Sequence, residues 1–367
     1  ILIIISNPYH IADKIPNVPH PRKNKKIYGH NSAKGLFLKS LNTEKLHHAW
    51  LIHGPKGVGK ATLAWKIVKL LQNGFKTFEK VDEENELSLI SKRIEALSEQ
   101  SVFLCRRQFE KSKKKFLQEI SVDEIRKINH FFSLTSTISN YRIVIIDNIN
   151  ELSISASNAL LKILEEPPSN GIFILISENK RSVLPTIISR CRILECNFLN
   201  FDCFEKAIVS VNIKNLSNEQ LTKLFHMSEG SVGKAIEIEH HNGIEIFDQL
   251  VKMLIFEDKK NNENIWELIT ANHNFESTKE YHKFLFSLLL SVIAQISKSL
   301  ATKQKSFLIT NNINNKNEEE KYFPYSLIYS IIIEDLNEAL KVNLNLADIL
   351  FTSFLKIKKI TKSLILV

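Results

Sequence analysis

Glycine is scarce, with 10 residues in 367, where an ordinary chain carries about 7%. The scarcity is uneven. No glycine follows Gly243, and Pro324 is the one proline beyond Pro185. A sheet of short strands needs tight turns and the residues that make them, so the C-terminal third is expected to be helical. Cysteine is sparse too. Cys105, Cys191, Cys196 and Cys203 include no C-x-x-C pair. That excludes a disulfide framework, offers no zinc-ligand spacing, and makes a reducing cytoplasm the expected compartment. Long apolar runs are also missing. The opening ILIII has no basic segment before it and no small-residue cleavage signal after it, so it does not read as a signal peptide. The stretch from Phe284 to Ile296 is shorter than the ~20 residues that cross a bilayer and contains Ser287, Ser291 and Gln295, so no membrane association is expected.

What is present is a chain with 44% apolar content and 49 Lys+Arg against 40 Asp+Glu, a net charge of +9. At roughly 150 residues per domain, two or three domains are expected. The basic excess permits nucleic-acid contact, for instance through Arg22 to Lys26 or Lys111 to Lys115, but equally fits ordinary solvation. Short uncharged apolar runs at Ala49–Ile52, Val102–Cys105, Ile143–Ile146 and Ile172–Ile176 read as strands buried on both faces. Helical patterns lie between them at Ala61–Leu71, Val122–Phe132 and Ser155–Leu164, the last closed by Pro167 and Pro168. This alternation predicts an α/β fold with a parallel sheet. Further on, Ser217 or Asn218 caps a helix through Leu221 and Leu224. Apolar stripes at Phe284 to Ile296, Ile328 to Leu340 and Leu346 to Ile357 predict long buried helices, with a polar loop at Asn311 to Lys321. The expected division is an α/β domain over 1–198, a small helical domain over 199–244 and a larger helical domain over 245–367.

Three of the ten glycines fall within six positions, in Gly54-Pro55-Lys56-Gly57-Val58-Gly59-Lys60. This fits G-x-x-x-x-G-K, placed after a predicted strand and before an amphipathic helix. Such glycines let backbone N–H groups surround a phosphate, and Lys60 is placed to reach its outer oxygens. The following position, where a Ser or Thr hydroxyl would bind Mg²⁺, is Ala61. Thr62 comes one residue late, which turns its hydroxyl about 100° around the helix. Asp147 ends the apolar strand IVII and suits a metal, but the next residue is Asn148, an amide that cannot accept a proton from an attacking water. The loop is therefore expected to keep its shape without efficient hydrolysis.

The runs HAWL (His48 to Leu51), GPKGVGKATLA (Gly54 to Ala64), SASNALLKILEEPP (Ser155 to Pro168) and LPTIISRCR (Leu184 to Arg192) carry a resemblance. They resemble the clamp-loader branch of the AAA+ ATPases and, within it, the delta-prime type of bacterial DNA polymerase III subunit. The resemblance implies an AAA+ P-loop core, a small helical lid and a C-terminal all-helical collar. It also implies a ring in which ATP sits between neighbours. Arg190, in Ser189-Arg190-Cys191, would then be an arginine finger reaching into the adjacent subunit's site, worth about 10³ to 10⁵ in rate. The alternative for Arg190 is a local ion pair. Gly54, Gly57, Gly59, Lys60, Thr62, Asp147 and Ser177 would be the nucleotide-binding set, vestigial or not, with Ser177 at the position of a phosphate sensor. Weak ATP binding here and ATP only at the neighbour's site both remain open. In the lid, Gly230-Ser231-Val232-Gly233 has Gly233 where active relatives carry an arginine. No zinc is expected, and Cys191, Cys196 and Cys203 read as packing. Implied partners are gamma/tau-like and delta-like subunits, with the sliding clamp and primed DNA reached through the complex. No activity is expected of the chain alone. Two other readings are an active gamma/tau-type ATPase and a basic DNA-binding module without nucleotide chemistry.

Overall fold

The computed structural model describes residues 18–43, 46–83, 88–110, 112, 115–133, 141–211, 213, 216–255, 261–271, 275, 277–302, 322–342 and 344–365. The opening ILIII, the Asn311 to Lys321 loop and most of the Lys111 to Lys115 run lie outside these residues. Seven strands are described: β1 (Ala49–His53), β2 (Val102–Cys105), β3 (Phe109–Glu110), β4 (Lys115–Phe116), β5 (Arg142–Asp147), β6 (Gly171–Ser177) and β7 (Arg192–Glu195). Before, between and after them lie α1 (Asn31–Leu41), α2 (Lys60–Gln72), α3 (Phe78–Asp82), α4 (Leu89–Glu95), α5 (Val122–Ser133), α6 (Ile154–Glu165), α7 (Pro185–Ile188) and α8 (Phe201–Ser210). The C-terminal elements are α9 (Asn218–Ser228), α10 (Val232–His240), α11 (Gly243–Ile255), α12 (Asn261–Thr270), α13 (Thr278–Thr302), α14 (Tyr322–Lys341) and α15 (Leu346–Ile365).

Five strands form one sheet in the order β2-β5-β6-β1-β7, every pair parallel. Helices between parallel strands cover both faces, which is why β1, β5 and β6 read as continuous apolar runs. Side chains alternate between the two cores as the period of two demands. Trp50, Ile52, Ile143, Ile145, Ile172 and Ile174 enter the core under α2, while Ala49, Leu51, Val144, Ile146, Phe173 and Leu175 enter the core under α5 and α6. Val102, Phe103 and Leu104, expected to be buried on both faces, are half-buried. They form an edge strand, hydrogen-bonded on one side to β5 alone.

The chain divides into two compact units, Ile1–Asn215 with Glu229–Lys234, and Leu216–Ser228 with Ala235–Val367. The division runs through the 199–244 segment. The first unit is the α/β fold with the parallel sheet. In the second, α9 opens with a reciprocal cap: Gln220 N–H donates to Ser217 Oγ at 3.2 Å, and Ser217 N–H donates to Gln220 Oε1 at 3.0 Å. Phe286, Leu288, Leu289 and Ile293 of α13 are fully buried in this unit, as are Leu250, Ile332 and Leu350. Tyr281 Oη donates to Leu268 O at 2.5 Å. Among the described residues, no helix is long and apolar enough to cross a membrane.

Candidate functional site: a phosphate loop with paired carbonyls

The loop from Gly54 to Gly59 joins β1 to the first turn of α2, as the glycine spacing predicts. Its carbonyls are taken up by the protein itself. Lys60, 6% exposed, turns its Nζ back to Gly54 O at 2.8 Å and Pro55 O at 2.6 Å. Ser231 Oγ donates to Lys56 O at 2.8 Å. Gly233 N–H donates to Gly57 O at 2.8 Å, and His30 Nε2 lies 2.8 Å from Val58 O. Five consecutive carbonyls thus have partners. Burial lowers the Lys60 pKa below the usual ammonium value, opposed by the charges of Glu178 and Asp147. Burial likewise lowers the His30 pKa, so its ring is neutral at pH 7 and donates from Nε2.

The turn Glu229–Lys234 closes over the loop at backbone distance. Gly57 has φ +79°, and a Cβ there would lie 2.5 Å from Ser231 Oγ and 2.9 Å from Gly233 Cα. A Cβ on Gly233 would lie 2.6 Å from Gly57 Cα. Ser231, 1% exposed, also accepts from Lys234 N–H at 3.3 Å, so one hydroxyl starts α10 and binds the loop. Gly233 therefore does more than omit an arginine. With no side chain, it lets the turn sit where an arginine-bearing turn would not fit.

The remaining predicted residues are placed as follows. Thr62 is buried and accepts from Asn24 Nδ2 at 3.2 Å. Asp147 ends β5, close enough for its charge to act on Lys60 and on Glu151. Ser177, fully buried at the end of β6, donates to Asn150 Oδ1 at 2.8 Å. The same Asn150 oxygen accepts Glu178 N–H at 3.2 Å, and its Nδ2 donates to Asn179 O at 3.1 Å and to Ser182 Oγ. One amide thus ties the ends of β5 and β6 together. Asn148 Oδ1 accepts Asn150 N–H at 3.1 Å and starts the short turn Ile149–Glu151. Arg190 lies just after α7 and pairs locally, with Nη2 2.7 Å from Glu165 Oε1. Arg22, expected on a solvated basic run, is 1% exposed and donates from Nε to Glu95 O at 2.8 Å. Burial raises the Cys191 and Cys196 thiols to about 12, which suits packing.

These residues do not fit a metal-bound nucleotide. Ala61 offers no hydroxyl to a metal, Gly233 no cation to a phosphate, and Lys60 is committed to two carbonyls of its own loop. The first turn of α2 retains its helix N-terminal N–H groups, which suffice for an anion but not for the chemistry of a triphosphate.

A parallel sheet with this loop between β1 and α2 and an acidic residue at the end of β5 defines an α/β protein of the P-loop type. Residues 29–200 match the family model described as "DNA polymerase III, delta subunit". Residues 29–200 are thus similar to the delta-prime/gamma clamp-loader family of DNA polymerase III. It is 30% identical to DNA polymerase III subunit gamma of Buchnera aphidicola over 224 residues, 60% of this chain and 58% of that protein. It is 28% identical to subunit delta' of Bacillus subtilis over 207 residues, 56% of this chain and 58% of that protein. With subunit delta' of Pseudomonas aeruginosa the identity is 32% over 146 residues, 39% and 41% of the two chains. The match thus spans less than three fifths of each relative. A gamma-subunit-related protein of Thermotoga maritima superposes at TM-score 0.42 and 16% identity, covering 88% of this chain and 99% of that one.

Asn150, His30, Ser231 and Glu165 are absent from the sequence-predicted set. Only Ser231 carried a signal, through its place in the lid motif.

Proposed function

We propose that this protein is a nucleotide-silent, delta-prime-type subunit of the DNA polymerase III clamp loader. It would act as a fixed ring member that lends Arg190 to the ATP site of a neighbouring gamma/tau-like subunit. Its partners would be that subunit, a delta-like subunit, and, through the assembly, the sliding clamp and primed DNA in the cytoplasm. The carrying observation is the contrast between two sites on one unit. On the chain's own phosphate loop Lys60 is turned back onto Gly54 O and Pro55 O, Ala61 offers no hydroxyl, and the Glu229–Lys234 turn is seated on Gly57. Arg190, by contrast, is one-third exposed on a short helix end.

An arginine that reaches a phosphate across an interface stabilises charge developing in transfer, and its fork of donors suits that task better than a lysine. The chain's own loop then supplies shape rather than chemistry. The relatives divide between gamma and delta' at similar identity, so the residues of the loop support the choice between them. The test is nucleotide binding and turnover by the isolated chain. The proposal expects no ATP hydrolysis and no Mg²⁺-dependent gain in nucleotide affinity. Hydrolysis abolished by Lys60→Ala would instead make the chain a gamma/tau-type ATPase. Tight, salt-sensitive binding of the isolated chain to primed DNA would favour a DNA-binding module.

A further inference from the structure

Helix α6 ends on Glu165, and Glu166 follows it before Pro167 and Pro168. Two carboxylates at this end oppose the helix dipole, whose negative pole lies there. Local folding therefore gives no reason for Glu165 to be acidic. Its carboxylate is used elsewhere: Oε1 accepts from Arg190 Nη2 at 2.7 Å. On the other side of the guanidinium, Nη1 donates to Thr186 O at 2.9 Å and lies 3.4 Å from Ser189 Oγ. The side chains of Arg190 and Glu165 are 34% and 51% exposed, so the pair can open without disturbing the core.

We infer that Glu165 is a positioning residue that parks Arg190 on its own subunit, and that a nucleotide phosphate presented by a neighbouring subunit must take the guanidinium from it. The inference rests on the trans role proposed for Arg190. A carboxylate and a phosphate compete for the same planar fork of donors. While Glu165 holds Nη2, its charge also repels an approaching phosphate across the width of one guanidinium. A triphosphate carries more charge than one carboxylate and wins the exchange, whereas singly charged anions do not. Parking thus gates the finger toward a multiply charged partner and neutralises it in the free subunit. Exposed ion pairs are weak, so the gate is low: its removal should shift phosphate affinity by no more than about fivefold.

The test uses the assembled loader carrying Glu165→Gln, which keeps the size and an acceptor for Nη2 while removing the charge. Two quantities are read: the affinity for a slowly hydrolysed ATP analogue, and the KM and kcat of clamp-stimulated ATPase. Expected are a two- to fivefold tighter analogue affinity, a KM lowered by about the same factor and an unchanged kcat. The difference from the wild type should shrink as salt is raised from about 50 mM to about 500 mM. Unchanged affinity and KM would overturn the inference, and so would a fall in kcat, which would make Glu165 a support for the catalytic pose. Arg190→Ala separates the two claims. If it leaves turnover intact, the finger role fails. If it removes turnover while Glu165→Gln is silent, only the parking fails. Melting of the free Glu165→Gln chain at or above the wild-type temperature establishes that it folds.

Discussion

Gly57 and Gly233 meet backbone to backbone. Gly233 N–H donates to Gly57 O at 2.8 Å, and a Cβ on Gly233 would stand 2.6 Å from Gly57 Cα. The contact joins the phosphate loop, which is followed by Ala61 with no hydroxyl, to a turn in which Gly233 has no side chain.

Gly233→Ala should therefore destabilise the chain by about 1–3 kcal/mol, because the added methyl meets backbone that cannot yield like a flexible side chain. Gly35→Ala is the control. Gly35 lies in α1 with nothing within 4 Å of a Cβ, so its substitution should stabilise by about 0.5–1 kcal/mol. Denaturant melts of both variants decide it, and a Gly233→Ala chain as stable as the wild type would contradict the close contact.

Asn150→Ala should cost about 1–3 kcal/mol, because Ser177 Oγ is fully buried and loses its acceptor. Ser177→Ala made on top of it should cost little more, since the hydroxyl has already lost its partner. Strict additivity in a double-mutant cycle would show that the two side chains act independently.

Acid should loosen the loop through His30. Burial lowers its folded-state pKa below the unfolded value of about 6.5, so the neutral ring is the one the fold favours. This contribution is complete above about pH 6.5 and is lost as pH falls toward the folded pKa. His30→Gln keeps a donor for Val58 O without a titrating charge. Between about pH 7.5 and 5.5, its melting temperature should fall less than that of the wild type. Because burial also lowers the pKa values of His48 and His53, some slope will persist. Identical slopes would remove His30 from the account.

How much of this was legible in the sequence follows from where each residue finds its partner. β1, β6 and the Ile143–Ile146 centre of β5 are uncharged runs because helices bury both faces, and such runs are visible in the sequence. β7 escaped notice. Its sequence, Arg192-Ile193-Leu194-Glu195, carries charge at both ends and buries only Leu194, as an edge strand may. The glycine loop was legible because its chemistry resides in local spacing. His30, Asn150 and Glu165 were not, since each acts on a residue 28, 27 or 25 positions away. Nothing local marks a histidine that will reach Val58 or a glutamate that will hold an arginine.

The central claim is that this chain's own loop is silent while Arg190 serves the site next door. The most direct measurement is clamp- and primed-DNA-stimulated ATPase of the reconstituted loader, with this subunit as wild type, Lys60→Ala or Arg190→Ala, each checked for assembly. The account predicts that Lys60→Ala leaves turnover within about twofold of the wild type, while Arg190→Ala removes the turnover of the neighbouring site, where a finger is worth about 10³ or more. Loss of turnover with Lys60→Ala and full turnover with Arg190→Ala would contradict it.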